Sequence, residues 1–406
     1  MRRPWALAAG LIIAGLAGTS ALALAKQPYE IVRSLEALHD QMVLGSKASQ
    51  AEMPVVLRQL GARLMAEDPM VWRDPRNAHA VVVYILSGGE IKVARAVLES
   101  GKISAADRQL IEGALAYLEG DKEQAKSLLN PIDPRTLEPG VGSHVALAQA
   151  ALLADDNSAK AMNLLDMARV FAPGTLVEDA ALRREVFLAE EAGDFDKFIA
   201  MSDQYFRRFR SSVYADSFHR SFAVSLTRIS QNGDDQQLAA LGDLLNSLST
   251  HEQLHLYLEV AQYSLFSGKV AVAKWAGEKA ALFAEKNSAE MHRAALYDGA
   301  AAVLTTDYER GVSQLKAVPT DHVGRDEAVL VEAALDLAGK IRQWPQGPAD
   351  KNAPPPDGPV DLTLPPNASK DLPPALNDTV NSSEAAMAQA QKALSDSDAL
   401  LQGDAQ

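Results

Sequence analysis

The chain of 406 residues contains no cysteine. That removes disulfides, thiolate nucleophiles and thiolate metal ligands, and it rules out a lipid-anchored lipoprotein, which needs a cysteine after its leader. Phosphate-cradling glycine loops of both common kinds are missing, and so is the G-x-S-x-G nucleophile elbow. Basic charge is in deficit: 39 Lys and Arg stand against 53 Asp and Glu, a formal net charge of −14. A nucleic-acid binder needs a basic surface to displace counterions, so that class is excluded, and general adhesion to anionic lipid is disfavoured. Aromatics make up only 6% of the chain. Long apolar runs are absent after the first two dozen residues.

The start of the chain carries that run. Arg2 and Arg3 precede an apolar stretch from Ala6 to about Gly18, and Ala23-Leu24-Ala25 supplies an A-x-A exit. Charge, apolar run and small-residue exit form the secretory pattern, so residues 1–25 are expected to be a signal peptide and the mature chain exported. Kept uncleaved, the same run would be a membrane anchor; the A-x-A site favours cleavage. Loss of Arg2 and Arg3 takes the formal charge to −16.

Proline divides the remainder. Ten of the 20 prolines fall between Pro345 and Pro374, in a stretch with little apolar bulk to offset its ordering entropy. Residues 345–380 are expected to be an extended, polyproline-type linker. Residues 381–406 then read as a tail helix: Asn381 and Glu384 have capping-box spacing, and Met387, Ala390, Leu394 and Leu401 mark a thin apolar stripe. Residues 26–344 form an Ala- and Leu-rich body with apolar residues at helical spacing and no convincing strand alternation.

Within the body one pattern recurs: a helix closes at a Gly or Asp turn, and five residues later a small residue sits inside a second helix. Gly113, Gly120 and Ala125 form the clearest copy. Others are Gly89 with Ala94, Asp156 with Ala161, Ala168 and Pro173, Gly193, Gly233, Gly268 with Ala273, and Thr306 with Gly311. Glycine permits the left-handed geometry that ends a helix, and the small residue lets two helices approach closely. The turns recur at about 36 residues, near the 34 of a tetratricopeptide unit. The expected fold is therefore all-α, an irregular tetratricopeptide-like helical-hairpin solenoid over about Arg73–Pro319, with Asp326–Arg342 as a capping helix.

Two constellations bear on chemistry. His251-Glu252-Gln253-Leu254-His255 matches H-E-x-x-H, which on a helix puts two zinc ligands on one face and a water-polarising Glu between them. Thr250 and Gln253 read as a capping box there, which puts His251 in the first turn, and a third ligand is not evident beyond Glu259 and Glu278. The metallopeptidase reading is thus the minor one, and neither a metal nor a cofactor is expected. The second constellation is Gln204–Tyr214, where Arg207, Arg208 and Arg210 interleave with Tyr205, Phe206 and Phe209. Arg and aromatics dominate interface hot spots, so these six residues are candidates for partner binding; the bland alternative is dipole-balancing arginines with core aromatics.

The stretches Phe171–Ala189 and Gln204–Phe218, with the leader, helical body, Pro-rich linker and tail, resemble the MotC family of periplasmic motility and chemotaxis proteins. The resemblance implies a role in flagellar rotation through binding the periplasmic part of the stator protein MotB, with no catalysis. A generic periplasmic repeat scaffold for envelope assembly is the alternative.

Overall fold

The structure, a computed structural model, describes residues 26–230, 233–321 and 323–342. The expected signal peptide (1–25), Pro-rich linker (345–380) and tail helix (381–406) lie outside the described residues. Among the described residues the fold is all-α.

Three helices lead: α1 (Pro28–Val32), α2 (Ser34–Val43) and α3 (Lys47–Met65). Seven hairpins follow. The first four are α4 (Pro75–Leu86) with α5 (Ile91–Glu99), α6 (Ala105–Leu118) with α7 (Lys122–Leu129), α8 (Pro139–Leu153) with α9 (Ser158–Phe171), and α10 (Leu176–Glu191) with α11 (Phe195–Phe209). The last three are α12 (Ala215–Ile229) with α13 (Asp235–Leu245), α14 (Thr250–Phe266) with α15 (Val270–Phe283), and α16 (Ala289–Ala302) with α17 (Tyr308–Ala317). A last helix, α18 (Arg325–Arg342), packs on α16 and α17, and the Tyr308 hydroxyl donates to the Ala338 carbonyl at 2.7 Å.

Each hairpin turn falls where the repeat placed it. Gly120, Gly193, Gly233 and Gly268 all hold φ between 61° and 78°, the region a Cβ disfavours. At the first hairpin the left-handed residue is Gly88, one before the expected Gly89; Gly89 instead lies so close under the Tyr84 ring that a side chain would collide. The small residues five positions on, Ala94, Ala125, Ala161 and Ala273, are completely buried between paired helices. Gly311 does the same work at the last hairpin, where a Cβ would lie 2.7 Å from the Val303 backbone nitrogen.

Hairpins pack successively through their first helices. Two large cores result. One joins α1, α3 and the hairpins from α4 to α8 around Trp72, Tyr84, Val93 and Ile111. The other runs from α10 to α18 around Phe198, Phe218, Phe222, Tyr257 and Tyr297. A smaller cluster under α8, α9 and α10 joins them.

Candidate functional site

The basic aromatic stretch forms the last turns of α11 and the link to α12. Helical spacing splits it. Tyr205, Phe206 and Phe209, at i, i+1 and i+4, share the inner face and are at most 2% exposed. Tyr205 packs on Phe218 with ring centroids 3.9 Å apart, and Phe206 meets Phe222 edge-on at 5.1 Å. These three proposed partner contacts are therefore core residues. The arginines lie on the outer face, and each has a carboxylate: Arg207 with Asp203 at 2.7 Å, Arg208 with Glu178 at 2.8 Å, Arg210 with Glu252 at 3.2 Å. Arg207 and Arg208 also close the last turn of α11, where positive charge complements the helix dipole.

Behind them runs a polar belt that the sequence reading did not single out. Asp179 is completely buried; it accepts from Arg183 Nε at 2.8 Å and from the Ser212 hydroxyl. The Arg183 guanidinium lies 4.6 Å over the Tyr214 ring. Glu178 accepts from the Gly174 N–H, Gln204 and Arg208. Gln204 also accepts from Arg169, which pairs with Asp166 at 2.6 Å and lies 2.9 Å from Glu185. Burial pushes the Glu185 carboxyl up to about 8, with Arg169 pulling it back, Asp166 adding to the rise and Lys197 opposing it. Burial and the neighbouring Asp179 hold the Tyr205 phenol well above its ordinary range. Buried charges must be paired or they destabilise, so this belt ties α9, α10, α11 and the start of α12 in one arrangement. Its sequence signal was available: on α10 Asp179, Arg183 and Glu190 share one side while Glu178 and Glu185 share another, so the charges could not all face outward.

The H-E-x-x-H segment opens α14. Its capping box is Ser249 with Glu252, one register earlier than Thr250 with Gln253. Glu252 accepts from the Ser249 N–H and hydroxyl and pairs with Arg210, which occupies the carboxylate that would polarise a zinc-bound water. The His251 and His255 rings stand edge-on, centroids 4.3 Å apart, at the exposed start of the helix. Burial, His251 and Arg293 lower the pKa of His255, with Glu290 opposing. Among the described residues no group of three or more His, Asp or Glu is placed to hold a metal ion. No described helix is long and apolar enough to cross a membrane.

The two stretches carrying the family resemblance are thus α10 and the α11–α12 junction, the parts that build the belt. Comparison with known proteins agrees with that assignment. The family profile described as Chemotaxis protein MotC matches residues 1–406. A relative, Chemotaxis protein MotC of Rhizobium meliloti (strain 1021), is 29% identical over 331 residues, covering 81% of this chain and 75% of that one. No solved structure matches the chain. An all-α repeat body, with its most charged helix locked inside and the family's profile running through every residue, belongs to the MotC family of chemotaxis proteins.

Proposed function

We propose that this protein is a periplasmic motility factor, needed for flagellar rotation, that acts by binding the periplasmic part of the stator protein MotB. The full-length family match carries the motility part of this reading. Export is supported by the Arg-led apolar leader with its A-x-A exit. Action by binding, without catalysis, is supported by the architecture: stacked hairpins present an extended surface, and the H-E-x-x-H glutamate is engaged in a cap and an ion pair. The outward arginines 207, 208 and 210 are the part of the basic stretch that a partner can reach.

Deletion of the gene is expected to give cells that assemble flagella but do not rotate them; a deletion strain that swims normally overturns the motility role. Purified mature protein is expected to capture the MotB periplasmic part in a pull-down. Replacing Arg207, Arg208 and Arg210 together by Glu is expected to weaken that capture while the circular-dichroism melt stays in place. Unchanged capture would assign the arginines to structure alone.

A further inference from the structure

The last helix of a solenoid faces solvent on its outer side, which is ordinarily polar. α18 departs from this. Its inner side is Val331, Ala334 and Ala338, buried where the helix packs on α16 and α17. A second apolar stripe, Leu330, Ala333, Leu337 and Ile341, runs roughly a quarter-turn around the same helix. Leu330 and Ala333 are half-buried, whereas Leu337 and Ile341 are 44% and 39% exposed. Among the described residues these two are the only exposed large apolar side chains that stand one turn apart on a helix; Leu44, Val170 and Leu282 stand singly. Lys340 and Arg342, in the last turn, border the exposed end of the stripe.

The chain itself carries a segment that fits. The expected tail helix, residues 384–402, lies outside the described residues, but its sequence repeats apolar residues at heptad steps: Met387, Leu394 and Leu401. α18 has the same step from Leu330 to Leu337. A single offset of 57 residues puts Met387, Ala390 and Leu394 level with Leu330, Ala333 and Leu337. Matched heptads let two helices bury a thin seam against each other. Charge agrees with that parallel register. From Asp396 onwards the tail carries Asp396, Asp398 and Asp404 and no cation, and the same offset brings Asp398 level with Ile341, beside Lys340. Reach is ample, because Glu384 follows Arg342 by 42 positions. A flexible connection of that length averages roughly 35 Å, against about 27 Å for the length of α18. Such a tether gives an effective concentration on the order of millimolar, enough for a seam too thin to join two separate molecules.

We propose that the tail segment 384–402 docks within its own chain on the Leu330–Ile341 stripe of α18, parallel to it, and completes the cap of the solenoid. Parallel helix dipoles oppose this weakly, and Asp396 and Asp398 beside Lys340 and Arg342 offset the cost. Both cations are free to turn to the tail, since their present partners, Asp336 and Glu309, are exposed and can return to water. The docked tail covers Leu337 and Ile341 and leaves a polar outer surface at this end of the molecule.

The lack of native cysteine makes disulfide trapping unambiguous. In the mature chain Leu337→Cys is combined with Leu394→Cys. The control combines Leu394→Cys with Glu332→Cys, which is exposed on the opposite side of α18. Under mild oxidation the 337–394 pair is expected to close within one chain about tenfold faster than the 332–394 pair. Equal rates describe a tethered but free tail and overturn the docking. A disulfide formed mainly between two chains overturns it as well, because the occupant is then a second copy. Hydrogen exchange gives a second reading without cysteine. Amides 387–401 are expected to exchange about tenfold slower than their intrinsic rates, and Leu337→Asp to abolish that protection while α14 and α16 keep theirs. Tail amides exchanging at intrinsic rates in the unsubstituted chain, or protection undiminished by Leu337→Asp, overturn the docking.

Discussion

The two halves of the solenoid solve the same packing problem differently. From α4 to α8 the core is built on aliphatic residues with Trp72, Tyr84 and Tyr117, and the chain's own α1–α3 complete it. From α10 to α18 the core is aromatic, with Phe198 stacked on Phe222 at 5.3 Å and Tyr257 on Phe283 at 5.9 Å, and the leading helices touch it only at its α10 end, through α2 and Val43. Bulky rings bury more area per residue, and the second half closes with its hairpins and the terminal α18. Its first-helix face keeps Arg220, Glu259 and Tyr263 accessible, the Glu259 carboxyl pushed up by burial and drawn back by Arg220 and Arg293. The polar belt sits at the junction. One half is a covered face, the other an open one, and the family-bearing stretches weld them together.

Breaking the aromatic half should cost most. Phe222→Ala removes a ring that contacts Phe198, Phe206 and Phe218, and is expected to destabilise by about 3–5 kcal/mol in urea unfolding. In the covered half, Tyr84→Phe leaves the Glu90 N–H and the Leu57 carbonyl without their shared hydroxyl. It is expected to cost about 1–3 kcal/mol and to raise hydrogen exchange in α3 before α5.

The junction should respond to pH. Glu185 is raised in the folded state, so its stabilising effect is full below 4.5 and is lost as pH rises through about 8. Glu185→Gln is expected to lessen the fall in Tm between pH 5 and 8 by a few degrees, roughly what 1 kcal/mol does in a chain of this size. An identical slope in variant and parent would show that Arg169 keeps Glu185 charged throughout. Arg210→Ala, which breaks only the half-exposed pair with Glu252, is expected to change stability by about 1 kcal/mol or less.

Sequence alone determined the repeat: seven turns, the buried small residue that follows five of them and the terminal helix, because left-handed turns and close helix approach are local demands on single residues. It also carried the family, through α10 and the α11–α12 junction. Only the tertiary structure decided which face of each helix looks inward. Tyr205, Phe206 and Phe209 could be read as hot spot or as core until α12 was laid against them, and the minor, catalytic reading of Glu252 ended where Ser249 and Arg210 claim it. Tertiary packing likewise sent α2 across to α10, about 140 residues away in the chain, a contact set by shape and burial between distant segments rather than by any local preference.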